Sequence, residues 1–248
     1  MHKSPLITIA TVTYNAGKVI EKTLKSIKNQ DFKDFEHLII DGASHDDTIQ
    51  KIKTSGISAT HIISERDNGL YDAMNKALKH AKGEYIIFLN AGDSFHSSHT
   101  LSLYAQAAQK GADIIYGDTL IIDNDERIMG KRHLSAPRVL SRDSFSQGML
   151  ICHQAFMVKK SLAPLYDLKY RFSADYDWCI KCIDRADIDS CVNLNTVTVN
   201  YLNEGLTDHN KRASLKERFR IMSSRYGVFK TLARHVGFVF RALKRGKI

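Results

Sequence analysis

The sequence predicts an α/β protein in which helices flank a mostly parallel central sheet. Apolar, β-branched segments alternate with segments of helical periodicity through the first 90 residues. The run Tyr85–Leu89 is unbroken and LITIATVTY is dense in apolar residues, which is typical of strands that are buried on both faces of a parallel sheet. The 248 residues include three prolines and no repeat, low-complexity stretch or long linker, so residues 1–210 are expected to form one domain.

The first 90 residues are predicted to contain four strands separated by three helices. The strand segments share a β-branched, apolar composition and read LITIATVTY, HLIIDGAS, ATHIISE and EYIIFLN. The first helix, Lys18–Asn29, has apolar residues at the three- and four-residue steps of one helix face. The other two helices are expected at Asp46–Lys53 and Gly69–Ala81. This alternating order predicts that the strands run parallel.

The rest of the domain is predicted to complete the sheet with further strands and two helices. A helix over Thr100–Lys110 precedes the segments DIIYGDTLIID and RIMGKRH, which are typical of an antiparallel pair. A short strand, QAFMVKK, and a helix over Ala174–Asp187 follow. The segment VNLNTVTVNYL is the last predicted strand.

Positive charge is concentrated near the end of the sequence. The net charge is +9, but Lys211–Ile248 contains 12 lysines and arginines and a single acidic residue, Glu217. From Tyr226 to Lys247, apolar residues recur at three- and four-residue steps with basic residues largely between them. Such a basic amphipathic helix is typical of a tail that binds an anionic membrane surface. Packing of this helix on the domain is the alternative, and no nucleic acid partner is expected because no nucleic-acid-binding module is recognisable.

Hydropathy and cysteine content favour a cytoplasmic protein. No segment approaches the roughly 20 apolar residues of a spanning helix, and the first residues lack the features of a signal peptide. Two of the four cysteines form a C-x-x-C pair, Cys179 and Cys182, without the second pair that a zinc site needs. We therefore expect buried structural thiols in a cytoplasmic protein that is peripheral on the inner face of the cytoplasmic membrane.

Polar residues follow the predicted carboxyl ends of four successive strands. These groups are Thr11–Asn15, Asp41, Glu65–Asp67 and Asn90–Asp93. Ligands of open parallel sheets bind beyond these ends, so the four groups are expected to share a cleft. The chain has no Walker loop and no G-x-G-x-x-G or G-x-S-x-G motif. A cleft rich in carboxylates instead suits ribose hydroxyls, a base N–H, or a Mg²⁺ or Mn²⁺ ion bound to a diphosphate.

The chain resembles the bacterial family 2 glycosyltransferases of the GT-A fold. Four stretches in order carry the resemblance: TVTYNAGKVIEKTLKSIKNQ, LIIDGASHDDT, SERDNGLYDAMNKALKHAKGEYIIFLNAGDSF and FSADYDWCIK. They span most of residues 6–185, and the third resembles the colanic-acid and exopolysaccharide glycosyltransferases. The resemblance implies a metal-dependent, inverting enzyme that uses Mg²⁺ or Mn²⁺. It would move a sugar from a nucleotide-diphosphate donor, with UDP favoured, to a saccharide or polyprenyl-diphosphate-linked acceptor in surface polysaccharide biosynthesis.

The resemblance also implies roles for the residues at the strand ends. Asp93 stands where the family binds its divalent cation, and Gly92 stands where the family often has an aspartate that contacts ribose, a contact that Asn90 or the Gly92 backbone would make here. Asp41 matches the carboxylate that recognises the base. The other implied nucleotide-sugar contacts are Thr11, Tyr14, Asn15, Glu65, Asp67, Asn68 and Asp72. Structural alternatives are strand propensity for Thr11, a helix N-cap for Asp93 and a helix-dipole partner for Asp72.

By the same resemblance, the catalytic base is expected in the stretch FSADYDWCIK. Asp175 matches the family's general base, which takes the proton of the acceptor hydroxyl, and Asp177 is its rival. Implied contacts with acceptor or phosphate are His153, Trp178 and His209, for which a structural histidine, a core tryptophan and a solvated loop are the alternatives. Two other interpretations of the chain are a nucleotide-sugar-binding or nucleotidyltransferase-type protein, in which Asp175 is idle, and a non-enzymatic membrane adaptor.

Overall fold

The computed structural model describes residues 4–57, 60–203 and 210–243, apart from the side chains of 211 and 239–243. The strands are β1 (Ile7–Thr13), β2 (Phe35–Asp41), β3 (Thr60–Ser64), β4 (Tyr85–Phe88), β5 (Ser94–Phe95), β6 (Ile114–Ile122), β7 (Ile128–Lys131), β8 (Phe156–Lys159) and β9 (Cys191–Leu202). The α-helices are α1 (Ile20–Lys28), α2 (Thr48–Thr54), α3 (Leu70–His80), α4 (Thr100–Gln109), α5 (Ala174–Arg185), α6 (Lys211–Tyr226) and α7 (Val228–Leu243). Every predicted strand and helix is present, and the two-residue strand β5 is an element that the sequence does not predict.

The nine strands of the described residues form one sheet in the order β3-β2-β1-β4-β8-β6-β9-β5, with β7 paired to β6. Strands β1 to β4 run parallel, as the alternation of strands and helices predicts. Strand β8 lies antiparallel between β4 and β6, and β9 pairs parallel with β6. Strands β6 and β7 form the predicted antiparallel pair. The predicted α/β class is therefore confirmed.

The central strands are buried on both faces, which explains the unbroken apolar run Tyr85–Leu89 that contains β4. In β1, Ile7 and Ile9 pack in one core cluster with residues of α4, whereas Ala10 and Val12 pack in another with residues of α3 and α5. Successive strand residues point to opposite faces, so a strand covered on both sides has no solvent-facing position for a polar side chain. The chain becomes polar at Asn90, just beyond the carboxyl end of β4.

Helix α6 packs on the domain. Ile221 and Met222 are each 2% exposed and belong to the same core cluster as Val12 of the central strand β1. Arg225 also forms an ion pair with Asp184 of α5. The first half of the predicted basic tail therefore contributes to the core of the domain.

Helix α7 turns several apolar residues away from the domain. Thr231 is buried, and Lys230 Nζ and Arg234 Nη2 lie 2.6 and 3.6 Å from the carboxylate of Asp143. The apolar residues on the other side are 48–89% exposed and comprise Val228, Phe229, Leu232 and Val236. One face thus packs on the domain while an apolar stripe remains in solvent. Over the described ranges, no helix has both the length and the hydropathy that crossing a bilayer requires.

Candidate functional site

A cavity of about 440 Å³ lies beyond the carboxyl ends of β1 and β3. Its walls are the end of β1, the loop and first turn of α3, and residues from the segment 168–172 that precedes α5. Four predicted site residues line it: Tyr14, Asp67, Asn68 and Asp72. A second cavity of about 420 Å³, between α4 and the start of β9, is lined by none of the predicted residues. We therefore take the first cavity as the candidate site.

The loops that follow β1, β2 and β3 converge at this cavity. A Cβ atom on Gly42 would lie 2.7 Å from Asp67 Oδ2 and 3.2 Å from Tyr14 Cδ2, so the three loops are in close contact. Asp72 Oδ2 accepts a hydrogen bond from the backbone N–H of Asn68 at 2.9 Å. Asp72 therefore shapes the start of α3 and also lines the cavity. Tyr14 is 62% exposed, which leaves its ring available for stacking.

Asp41 is enclosed behind these loops. It is 0% exposed, and its carboxylate accepts hydrogen bonds from Ser44 Oγ (2.5 Å), Ser44 N–H (2.9 Å) and Ser64 Oγ (2.6 Å). Asn15 joins the same loop, since its N–H donates to Ser44 Oγ at 2.8 Å and its Oδ1 accepts from His45 N–H at 2.9 Å. Asp41 thus fastens the loop after β2. Its predicted contact with a nucleobase stays a prediction, and that contact requires the loop to open.

The turn after β4 is held by α1 and β9. Thr23 Oγ1 accepts from Gly92 N–H at 2.9 Å and donates to the carbonyl of Asp93 at 2.6 Å. Gly92 has φ +101°, and a Cβ atom there would lie 2.9 Å from Leu202 Cδ2, so this turn requires glycine. Asp93 Oδ1 accepts a hydrogen bond from the backbone N–H of Leu202 at 2.9 Å. The position of Asp93 is therefore fixed from both sides.

The surroundings of Asp93 leave polar groups without partners. Asp93 is 4% exposed, and burial raises its pKa to about 7 against the opposing effects of Leu202 N–H, the Gln154 side chain and the Lys22 ammonium. In the part of the chain that the structure describes, Lys22 Nζ and Asn90 Oδ1 are buried and have no hydrogen-bond partner. Buried polar atoms are rarely left unpaired in folded proteins. This region therefore has the electrostatic character of a binding site.

The residues of this turn fit a divalent cation that is shared with a ligand. The Asp93 carboxylate and the unpaired Asn90 Oδ1 are hard oxygen donors of the type that Mg²⁺ and Mn²⁺ prefer. Across residues 4–57, 60–203 and 210–243, no group of three or more His, Cys, Asp or Glu side chains could hold a metal ion. The donor set suits an ion that completes its coordination with phosphate oxygens and water. His209, a further predicted ligand, lies outside the described residues.

Asp175 lies in the first turn of α5 and is linked to the cavity lining through one hydrogen bond. The hydroxyl of Tyr71, a cavity-lining residue, donates a hydrogen bond to Asp175 Oδ1 at 3.1 Å. Burial and the charge of Asp175 raise the pKa of Tyr71 well above its usual value, so this hydroxyl remains a donor. The rival carboxylate, Asp177, instead pairs with Lys181 Nζ at 2.6 Å. Of the two acids, Asp175 is the one connected to the cavity lining.

His153 and Trp178 belong to a buried aromatic cluster. Trp178 is 0% exposed, stacks on Tyr166 with ring centroids 5.0 Å apart, and donates from Nε1 to Pro164 O at 2.7 Å. His153 Nε2 lies 2.5 Å from the Tyr166 hydroxyl, and burial lowers the pKa of His153 to about 4. The ring of Trp178 therefore presents no free face to solvent. The acceptor or phosphate contacts that the resemblance implies for both residues stay predictions.

Two other predicted residues lie away from the cavity lining. Thr11 is fully buried and donates to Leu89 O at 2.8 Å, and its predicted nucleotide contact stays a prediction. Glu65 is exposed and pairs with Lys76 Nζ at 2.8 Å. Neither side chain lines the cavity.

Two parts of the cavity lining have no role predicted from the sequence. Tyr71, the partner of Asp175, stands beside Asp72 in the stretch NGLYDAMN, and that proximity is a usable signal. Arg171 and Phe172 line the cavity from the segment before α5. Their contact with loops about 100 residues earlier has no counterpart in the local pattern, so sequence periodicity cannot reveal it.

Comparison with known sequences identifies the family. The family model for glycosyl transferase family 2 matches residues 8–163. A PGL/p-HBAD biosynthesis glycosyltransferase of Mycobacterium bovis is 33% identical over 187 residues, 72% of this chain and 70% of that protein. A GalNAc(5)-diNAcBac-PP-undecaprenol beta-1,3-glucosyltransferase of Campylobacter jejuni is 32% identical over 121 residues, 47% of this chain and 39% of that protein. The chain belongs to glycosyl transferase family 2.

Solved structures share its fold. S. aureus TarS 1-349 in complex with UDP-GlcNAc has a TM-score of 0.70 and 16% identity, covering 94% of this chain and 73% of that one. The mannosyltransferase PcManGT from Pyrobaculum calidifontis, in complex with GDP-Man and Mn²⁺, has a TM-score of 0.62 and 16% identity. The match covers 95% of this chain and 75% of that one. These similarities confirm the predicted GT-A fold.

Proposed function

We propose that the protein is an inverting glycosyltransferase that moves a sugar from a nucleotide-diphosphate donor to a saccharide acceptor. The observation that carries this proposal is the position of Asp175, which is bonded at 3.1 Å to the cavity-lining Tyr71 in a chain of this family. The same cavity presents the ring of Tyr14 and the carboxylates of Asp67 and Asp72. An aromatic ring suits a base, and carboxylates accept hydrogen bonds from sugar hydroxyls.

The proposed reaction is a single displacement. The acceptor hydroxyl oxygen attacks the anomeric carbon on the face opposite the diphosphate, and a new C–O bond forms. The bond from this carbon to the diphosphate oxygen breaks, and that oxygen leaves with the electron pair. Asp175 accepts the proton of the attacking hydroxyl, a role that typically contributes about 10²–10⁴-fold to the rate. Tyr71 holds one oxygen of Asp175 and leaves the other for the acceptor.

Asp93 and Asn90 are the residues that would hold Mg²⁺ or Mn²⁺. When bound, the ion offsets negative charge on the departing diphosphate. The buried ammonium of Lys22, which opposes the raised pKa of Asp93, adds positive charge to the same region. The Mn²⁺ in the Pyrobaculum mannosyltransferase structure supports metal-dependent transfer. UDP-GlcNAc in the TarS structure supports UDP as the favoured nucleotide.

We infer that the acceptor is a polyprenyl-diphosphate-linked saccharide used to build a bacterial surface polysaccharide. The name of the Campylobacter relative includes an undecaprenol-linked diphosphate. The exposed apolar residues of α7, such as Phe229 and Leu232, lie in the basic segment Lys211–Ile248. Helices of this kind bind in the headgroup region of anionic membranes. We therefore place the protein at the inner face of the cytoplasmic membrane, where such acceptors are presented to cytoplasmic enzymes.

A matched pair of substitutions tests the catalytic proposal. Purified protein is incubated with UDP- and GDP-sugars, Mn²⁺ and lipid-linked acceptors, and release of the nucleotide diphosphate is measured. Asp175→Asn should lower turnover at least about 100-fold and leave the donor Kd within about threefold. Asp177→Asn, the control two residues away on the same helix, should stay within about fivefold of wild type.

Two results would contradict the proposal. If wild-type protein binds nucleotide sugars but transfers to none of the acceptors, a nucleotide-sugar-binding protein becomes the better description. If Asp175→Asn and Asp177→Asn lose activity equally, Asp175 has no special role as base.

A further inference from the structure

Glu217, the one acidic residue of the segment Lys211–Ile248, is bound to the wall of the candidate site. Its Oε1 accepts a hydrogen bond from the backbone N–H of Arg171 and its Oε2 from that of Phe172, both at 2.9 Å. Arg171 and Phe172 both line the cavity. A carboxylate in an otherwise basic segment therefore provides two acceptors at the wall of the cavity.

Ser173 extends this attachment by one residue. Its Oγ lies 3.0 Å from Ser214 Oγ and 3.3 Å from the carbonyl oxygen of Ser214, and both serines are buried. Ser214 and Glu217 are three residues apart on α6, so they share a helix face. Three consecutive residues, 171–173, are thus bonded to α6 immediately before the helix that carries Asp175.

Helix α6 is a firm support for these bonds. Ile221, one turn beyond Glu217, and its neighbour Met222 are each 2% exposed in the core. The N–H groups of Arg171 and Phe172 precede α5, so the carbonyls within that helix do not satisfy them. Glu217 satisfies both from a packed helix, and the shape of the wall therefore depends on α6.

We propose that Glu217 is a positioning residue for sugar transfer. Its carboxylate holds 171–173 in place, and this segment sets the cavity wall and the first turn of α5, where Asp175 meets Tyr71. Glu217 acts through the backbone and does not itself contact the substrate. The inference rests on the proposed role of Asp175 and places α6 within the catalytic unit.

The test compares three α6 variants in the full chain. Glu217→Ala should lower kcat about 10- to 100-fold with the donor KM within about threefold, because small misplacements of a catalytic group are costly. Glu217→Gln keeps one carbonyl acceptor and should retain intermediate activity. Ser224→Ala, at an exposed position of the same helix, should match wild type. The backbone N–H groups of residues 171 and 172 should exchange faster in Glu217→Ala than in wild type. The increase should be smaller in Glu217→Gln.

The outcomes separate this inference from the proposed function. If wild type transfers sugar and Glu217→Ala retains wild-type kcat, the inference is overturned, even where the melting temperature falls, because that result describes a purely structural residue. If wild type transfers no sugar, the proposed function fails, and hydrogen exchange at residues 171 and 172 then decides whether Glu217 holds this segment. Unchanged exchange in Glu217→Ala would overturn the positioning role as well. If Glu217→Ala does not fold, Glu217→Gln decides by the same two readouts.

Discussion

Asp41 and Asp93 are both buried carboxylates, yet their surroundings differ. Asp41 receives three hydrogen bonds from two serines, which satisfy it without a ligand. Asp93 sits beside a buried ammonium, and burial raises its pKa to about 7. A carboxylate whose charged form is disfavoured by burial is stabilised by an added cation. This contrast is why we propose Asp93, and not Asp41, as a ligand of the cation.

His37 makes the fold sensitive to acid. It is fully buried in β2, with Nε2 3.0 Å from Thr11 Oγ1 and Nδ1 3.2 Å from Thr60 Oγ1. Burial lowers its pKa from 6.5 to about 3. Below pH 6.5 the unfolded chain binds a proton that the folded chain excludes until about pH 3. The free energy of unfolding should therefore fall as pH decreases through this window, by up to about 1.4 kcal/mol per pH unit from this residue.

Urea unfolding of His37→Gln at pH 7, 5.5 and 4.5 checks this dependence. The glutamine amide can replace both ring contacts, and it does not titrate, so the variant should lose less stability on acidification than wild type. Buried His153 contributes a similar dependence, so the change of the free energy of unfolding with pH should be smaller in His37→Gln than in wild type but should not vanish. His80→Gln, at an exposed position, is the control and should keep the wild-type slope. Identical pH dependence for all three proteins would show that folding does not lower the pKa of His37.

At the scale of elements, periodicity predicts the helices and strands because their apolar faces are determined locally. In α1, the predicted apolar positions Ile20, Leu24 and Ile27 are buried. Strand β5 could not be predicted in this way. Its partner lies more than 100 residues later, with Ser94 paired to Asn200, and two residues carry no period of their own.

The candidate site shows the same division between local and distant information. Polar residues after the strands predict which edge of the sheet carries the cleft, and Tyr14, Asp67 and Asp72 line it. Whether Asp41 faces that cleft depends on two serines that donate to it, Ser44 from the loop after β2 and Ser64 from the end of β3. The sequence pattern does not reveal such an arrangement. Strand-end position is thus a good predictor of the edge and a poor predictor of which side chains reach the cavity.

Helix α7 is the element for which we predict membrane binding. Phe229 and Leu232 are 89% and 48% exposed, and burial of each in the membrane interface should contribute about 1–3 kcal/mol. The double variant Phe229→Ser with Leu232→Ser should therefore bind anionic vesicles at least about tenfold more weakly in sedimentation assays. Transfer to a soluble acceptor should not change, because neither residue lines the cavity.

A matched control separates this effect from a general loss of surface hydrophobicity. Ile128 and Val139 are 64% and 77% exposed outside the tail. The double variant Ile128→Ser with Val139→Ser should bind vesicles as tightly as wild type does. Equal vesicle binding by wild type and the α7 variant would count against the membrane proposal, and a weakened control would assign the binding to other surfaces.

At the scale of the molecule, the candidate site joins distant parts of the chain. One wall comes from β1 and α3, and the other comes from the segment before α5. Helix α6 holds this second wall through Glu217 and packs into the core through Ile221 and Met222. The domain boundary predicted at residue 210 therefore separates α6 from the core and from the cavity wall, both of which α6 supports.

Two shortened chains test that boundary. A variant ending at Gly227 lacks α7 but retains α6, and it should keep most of its thermal stability and its transfer to soluble acceptors. A variant ending at Asn210 also lacks the buried Ile221 and Met222. Each such loss costs about 2–5 kcal/mol, a large part of the 5–15 kcal/mol of a typical domain. Calorimetry should therefore show a much lower or absent transition for the shorter chain. If that chain melts within a few degrees of the full protein and still transfers sugar, then α6 is a dispensable tail and residues 1–210 fold and act alone, because neither the core nor the wall of the cavity depends on it.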